Sequence, residues 1–184
     1  MTAFALVVAG AVVSALAAPG LWVLGASAPR WARPIVALAL TLLLAVAAVT
    51  TLVDGAATGT VGEVRAVPAV VLAAAGGVVV VAAVLDLLGA PPPPEPPAAE
   101  VLRGGTWIGV LERLAVFGSV AARWPEGIAV VVAVKGLGRY PELRGEPGMP
   151  RRLTAETFIV GTLVSLVWCA ACAYVGLGPL RLTK

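Results

Sequence analysis

The chain has 184 residues, 60% of them hydrophobic and only 12% charged, with a mean hydropathy of +0.99 and a net charge of +3. A soluble domain carries about 25% charged residues, so this inventory excludes a water-covered globule, and the lack of any basic stripe excludes a nucleic-acid platform. The chain contains no histidine, asparagine or glutamine, which excludes a His-based triad or a His-rich metal site within it.

The first apolar run, Thr2–Leu24, predicts a membrane helix over about Thr2–Gly25. Runs of roughly 20 residues cross about 30 Å of hydrocarbon as a helix. Met1–Thr2 supplies no positive n-region, so this run reads as a helix and not as a cleaved leader. Pro19 and Gly20 read as a local break inside it. The segment 27–33 carries Arg30, Trp31 and Arg33, and Pro34 opens a second helix that runs to Val53, because its missing amide is tolerated in a first turn. A Gly- and Thr-rich loop is expected from Asp54 to Ala66. The third helix covers Val67–Leu88, with Gly76-Gly77 marking close packing or a bend.

Residues 91–97 hold six prolines around Glu95 and read as an extended polyproline spacer. The chain therefore divides into an N-terminal three-helix part (1–89), a proline-rich linker (90–103) and a C-terminal membrane unit (104–184). A docking ligand for a partner is the alternative use of the proline run.

In the C-terminal unit, polarity enters the membrane. Gly105–Ala122 is apolar except for Glu112 and Arg113, and Arg123-Trp124-Pro125 closes it with interfacial residue types. The next helix, Glu126–Arg139, has about 14 residues and reaches roughly 21 Å, short for a full span. A polar loop follows over Leu143–Leu153. Thr154 is then expected to cap the last helix, which runs to about Gly176, with Glu156 in its first turn. Arginine is richer on the side that takes Arg30, Arg33, Arg103, Arg139, Arg144, Arg151 and Arg152, so that side is expected to be cytoplasmic, with both termini outside if six segments cross.

An unpaired charge deep in a membrane helix costs at least about 2–3 kcal/mol, so Glu112 and Arg113 need partners. Lys135, on the next helix of an antiparallel hairpin, is the expected partner of Glu112. Arg113 is left for Glu156, a lipid phosphate or backbone carbonyls. Lys135 and Arg139 lie four residues apart on one face, where like charges repel. Either an anion between them relieves this, such as a phospholipid or isoprenoid phosphate, or both side chains snorkel to the surface. Small-residue pairs at Gly105/Gly109, Ala129/Ala133 and Gly161/Ser165 predict that the last three helices pack closely. Cys169 and Cys172 have CxxC spacing in an apolar helix. A redox or metal pair is one reading; with no further cysteine and no histidine in the chain, two small packing residues is the other.

Three segments in order, Gly105-Thr-Trp-Ile-Gly-Val-Leu-Glu-Arg113, Gly127-Ile-Ala-Val-Val-Val-Ala-Val-Lys135-Gly-Leu-Gly-Arg139 and Glu156-Thr-Phe-Ile-Val-Gly-Thr-Leu-Val-Ser165, resemble the C-terminal block of a bacterial integral-membrane family of unknown function (domain of unknown function number 3307). The resemblance is limited to residues 105–165. It implies that Glu112, Arg113, Lys135, Arg139 and Glu156 act as one unit, and it implies no activity.

The expected fold is therefore all-α, a polytopic transmembrane bundle of five or six helices in the bacterial cytoplasmic membrane. The expected role is a non-enzymatic helper, scaffold or assembly subunit without cofactor or metal. Its partners are membrane lipids and other membrane proteins or further copies of itself. The alternative is a carrier or binder of an anionic, phosphate-bearing lipid or small substrate through the Glu/Arg/Lys cluster. An enzyme using Glu112 or Glu156 as a general base lacks an accompanying nucleophile or phosphate loop.

Overall fold

The computed structural model describes residues 29–53, 60–90, 104–138 and 151–178. Among them the regular elements are all helical: α1 (Ala32–Val53), α2 (Thr60–Val71), a π-helical turn (Leu72–Gly76), α3 (Gly77–Leu87), α4 (Gly104–Ala121), α5 (Pro125–Gly138) and α6 (Arg151–Leu177). The expected first helix and the proline spacer lie outside the described residues. Among the described residues, three stretches are long and apolar enough to cross a membrane: Ala32–Val49, Ala66–Leu87 and Ala155–Leu177.

Two boundaries differ from expectation by about a turn or more. The loop expected up to Ala66 ends earlier, because helix begins at Thr60 and continues through Pro68. One lost amide at Pro68 does not break a helix held by neighbours on its flank. The last helix starts at Arg151, about one turn before Thr154, so Thr154 is a helical residue and not its cap.

Helices α2 and α3 form one rod, interrupted by the π turn at the Gly76-Gly77 pair. Of the two expectations for that pair, the close packing is seen: neighbouring side chains come right up to both glycines. A Cβ on Gly76 would lie 3.0 Å from the Trp168 ring, and one on Gly77 would lie 2.6 Å from Arg113 Cδ.

The helices alternate in direction. Arg33 near the start of α1 meets Asp86 near the end of α3. Gly161 of α6 faces Val81 and Leu85, while Trp168 reaches back to Leu72. Helices α4 and α5 form an antiparallel hairpin, with Glu112 opposite Lys135 and Ser119 against Gly127. The turn between them is a Schellman closure: Trp124 N–H donates to Ser119 C=O at 2.9 Å and Arg123 N–H to Val120 C=O at 3.0 Å. Arg123 takes the left-handed position there, at φ 56°. One end of the bundle therefore carries the starts of α1, α4 and α6 and the ends of α3 and α5.

The polarity of the bundle is inverted relative to a soluble protein. Its outer faces are large and apolar, as at Ile35, Leu38, Leu42, Val46 and Val49 along α1 and Ile159, Leu163 and Val167 along α6. Its interior mixes Leu72, Val79, Val116, Phe117 and Trp168 with alanines, both cysteines, Ser119, Ser165 and Arg113. Small and polar residues inside with bulky apolar residues outside suit surroundings of hydrocarbon. Trp107 and Trp124, both exposed, bracket α4; its 18 residues give roughly 27 Å, near the thickness of a bilayer core.

Candidate functional site

The polar interior is built on α4. Glu112 and Arg113 are neighbours and so point about 100° apart around the helix. Glu112 faces α5, and Arg113 faces the π turn. The two charges therefore find different partners.

Lys135 Nζ donates to Glu112 Oε2 across the α4–α5 hairpin, and both side chains are mostly buried. The same ammonium lies 6.0 Å from the centroid of the Phe158 ring on α6, within reach of a cation–π attraction. Lys135 thus ties α4, α5 and α6 at one level. Glu112 stands eight residues into the eighteen of α4, roughly 12 Å along a helix of about 27 Å, so the pair sits near the middle of that helix.

Arg113 turns inward and is 6% exposed. Its Nε donates to the Ala74 carbonyl at 2.9 Å, inside the π turn. A second side chain uses the same turn: Trp168 Nε1 donates to the Leu72 carbonyl at 3.1 Å. A carbonyl has two lone pairs and can accept a side-chain donor beside its helical one. Side-chain donors inserted at a helix ladder are a recognised cause of irregular turns. Cys169 completes the arrangement by donating its S–H to the Arg113 carbonyl at 3.1 Å. Gly77 and Gly109 flank the Arg113 side chain; a Cβ on Gly77 would displace it, whereas one on Gly109 would stand in ordinary contact. Close helix approach needs residues of that size.

A small cleft opens between α4, α5 and α6, lined by Glu112, Arg113, Val131, Lys135, Thr162 and Ser165 among others, with free space of about 10 Å³. That volume holds about one water. Two atoms of its lining residues, Arg113 Nη2 and Thr162 Oγ1, are buried with no hydrogen-bond partner among the described residues. Glu112 and Lys135 cancel in charge, so the guanidinium leaves the cleft with one net positive charge.

Of the residues singled out by sequence, Glu112, Arg113 and Lys135 meet at this cleft. Glu156 stands on an exposed turn near the start of α6, outside the cleft lining. Arg139 lies outside the described residues. The cysteines are free thiols, fully buried, and among the described residues no group of three His, Cys, Asp or Glu side chains could hold a metal ion.

A second charged cluster went unread in the sequence. Asp86 accepts from Arg30 Nε and from Arg33 Nη1, each at 3.1 Å. The carboxylate sits in the last turn of α3 and the arginines at the start of α1. Each end alone would add charge of the unfavourable sign to its helix dipole; side by side they compensate. Antiparallel pairing of the second and third runs carries this signal, since it brings position 86 to the level of positions 30–33.

Comparison with protein-family models, with characterised proteins and with solved structures gives no match for this chain.

Proposed function

We propose that the protein is a multi-pass helical component of the cytoplasmic membrane that acts without catalysis, as a scaffold, helper or assembly subunit for other membrane proteins or for further copies of itself. The observation that supports this most directly is how the polar groups inside the bundle are spent. Lys135 neutralises Glu112, Arg113 and Trp168 bind the π turn, and Cys169 binds the Arg113 carbonyl. The groups lock helices together and leave space for about one water between them. Long apolar faces on α1 and α6 point away from the core and are available to lipid or to neighbouring spans.

Native mass spectrometry of the full chain, extracted from its own membrane in mild detergent, tests the proposal. A fixed stoichiometry with a second membrane protein, or a homo-oligomer, is expected. A lone chain in detergent and in lipid nanodiscs alike overturns it.

The second reading, a binder of an anionic lipid or small substrate at the cleft, draws support from the unpartnered Arg113 Nη2 and Thr162 Oγ1. It requires Lys135 to exchange Glu112 for a phosphate. Phosphate-lipid retention that is unchanged in Lys135→Met removes it.

A further inference from the structure

We propose that Arg30 and Arg33, held by Asp86, form a binding site for the phosphate oxyanion of an anionic phospholipid. The inference rests on the reading that the apolar helices lie in a bilayer. It concerns a place about one helix end away from the cleft and a ligand that the cleft does not need.

The first observation is charge. Two guanidinium groups share one carboxylate, so the described cluster carries one excess positive charge. The second is hydrogen-bond capacity. Each guanidinium has five N–H donors. Asp86 receives one bond from Arg30, through Nε, and one from Arg33, through Nη1. The Arg30 side chain is 60% exposed, so its outer N–H edge remains open to the surroundings. Arg33 is the more buried of the two, at 23%, and its Nε, with no partner among the described residues, is itself buried, so Arg30 presents the accessible donors.

The third observation is depth. The span Ala32–Val49 starts beside this cluster and the span Ala66–Leu87 ends beside it. On the bilayer reading both mark the same hydrocarbon boundary, and lipid phosphates lie a few Å outside it. Trp31, Leu87 and Leu88 lie around the cluster with exposures of 72%, 74% and 64%, offering an aromatic anchor and an apolar wall for glycerol and upper acyl carbons. The cluster also belongs to the Arg-rich side, where anionic lipids concentrate if that side is cytoplasmic. Asp86 gathers both guanidinium groups at one carboxylate and limits their attraction to a single extra anion.

A phosphate oxyanion could come from a lipid or from solution, and the test separates them. The full chain is incorporated in nanodiscs of mixed phosphatidylglycerol and phosphatidylcholine, released, and its retained lipids counted by native mass spectrometry. Wild type is expected to keep phosphatidylglycerol selectively. Arg30→Gln leaves the Arg33–Asp86 bridge in place and should reduce that retention about fivefold, the equivalent of about 1 kcal/mol for one interfacial arginine. Asp86→Asn, scored on protein whose helicity and melting are preserved, should increase it. Arg123→Gln, at the opposite end of α4, should leave it unchanged.

Equal losses in Arg30→Gln and Arg123→Gln would show a generic basic surface and overturn the site. Reduced retention in folded Asp86→Asn would overturn it too. Displacement of the bound lipid by inorganic phosphate would assign the pocket to a soluble anion and overturn the lipid. Failure of the wild-type chain to enter nanodiscs at all would instead sink the bilayer reading beneath the proposal.

Discussion

Gly77 and Arg113 are matched in shape: a methyl group at position 77 would stand 2.6 Å from Arg113 Cδ and 3.0 Å from its Nε. The absence of a side chain on one helix is what lets a buried cation from another reach the Ala74 carbonyl. Gly77→Ala should therefore push the guanidinium off that carbonyl and destabilise the fold by about 1–3 kcal/mol, the usual cost of overpacking. Gly109→Ala is the contrast, since its Cβ would meet Arg113 Nη1 at 3.5 Å, an ordinary contact. With higher helix propensity for alanine, that variant should be neutral or slightly more stable. Thermal unfolding in detergent distinguishes the two.

The Glu112–Lys135 pair predicts strong coupling. Either Glu112→Gln or Lys135→Met alone leaves a mostly buried charge without its partner, at a cost of about 1–3 kcal/mol. The double variant should cost less than the two singles added together, because it leaves no orphan. A double-mutant cycle from reversible unfolding in mixed micelles measures this, and simple additivity would contradict the pairing.

Trp168→Phe keeps most of the ring and removes only the donor to the Leu72 carbonyl. The expected loss is about 0.5–1.5 kcal/mol. Amide hydrogen exchange should rise selectively around Leu72–Gly76, since the ring no longer braces the π turn from its side.

Arg123 occupies a left-handed backbone position at the Schellman closure. L side chains pay roughly 1–2 kcal/mol there, and glycine does not. Arg123→Gly should raise the melting temperature, with a net gain of at most about 1 kcal/mol after the entropy that glycine costs. Arg123→Val, with a β-branched side chain, should lower it.

Cys169 and Cys172 are fully buried among α4 and α6. Both thiols should resist maleimide in the folded protein and label only on unfolding. The labelling rate would then track global stability across the variants above. Rapid labelling of the native chain would show that this part of the core opens locally.

Composition alone, with long uncharged runs and few ionised residues, decided that this chain folds as helices suited to hydrocarbon, because lipid offers no partner to an open backbone. Residue spacing likewise made Lys135 reachable from Glu112 across a tight antiparallel hairpin. Position in the sequence could not decide where Arg113 goes. Its partner is a backbone carbonyl thirty-nine residues away, and every residue carries a carbonyl, so nothing in the side-chain pattern marks Ala74. The π turn, the fit of Gly77 and the sharing of Asp86 by Arg30 and Arg33 belong to the same class. They arise only when separate helices are set at a common height, and helix packing sets that height through small residues and close contacts that no single run specifies by itself.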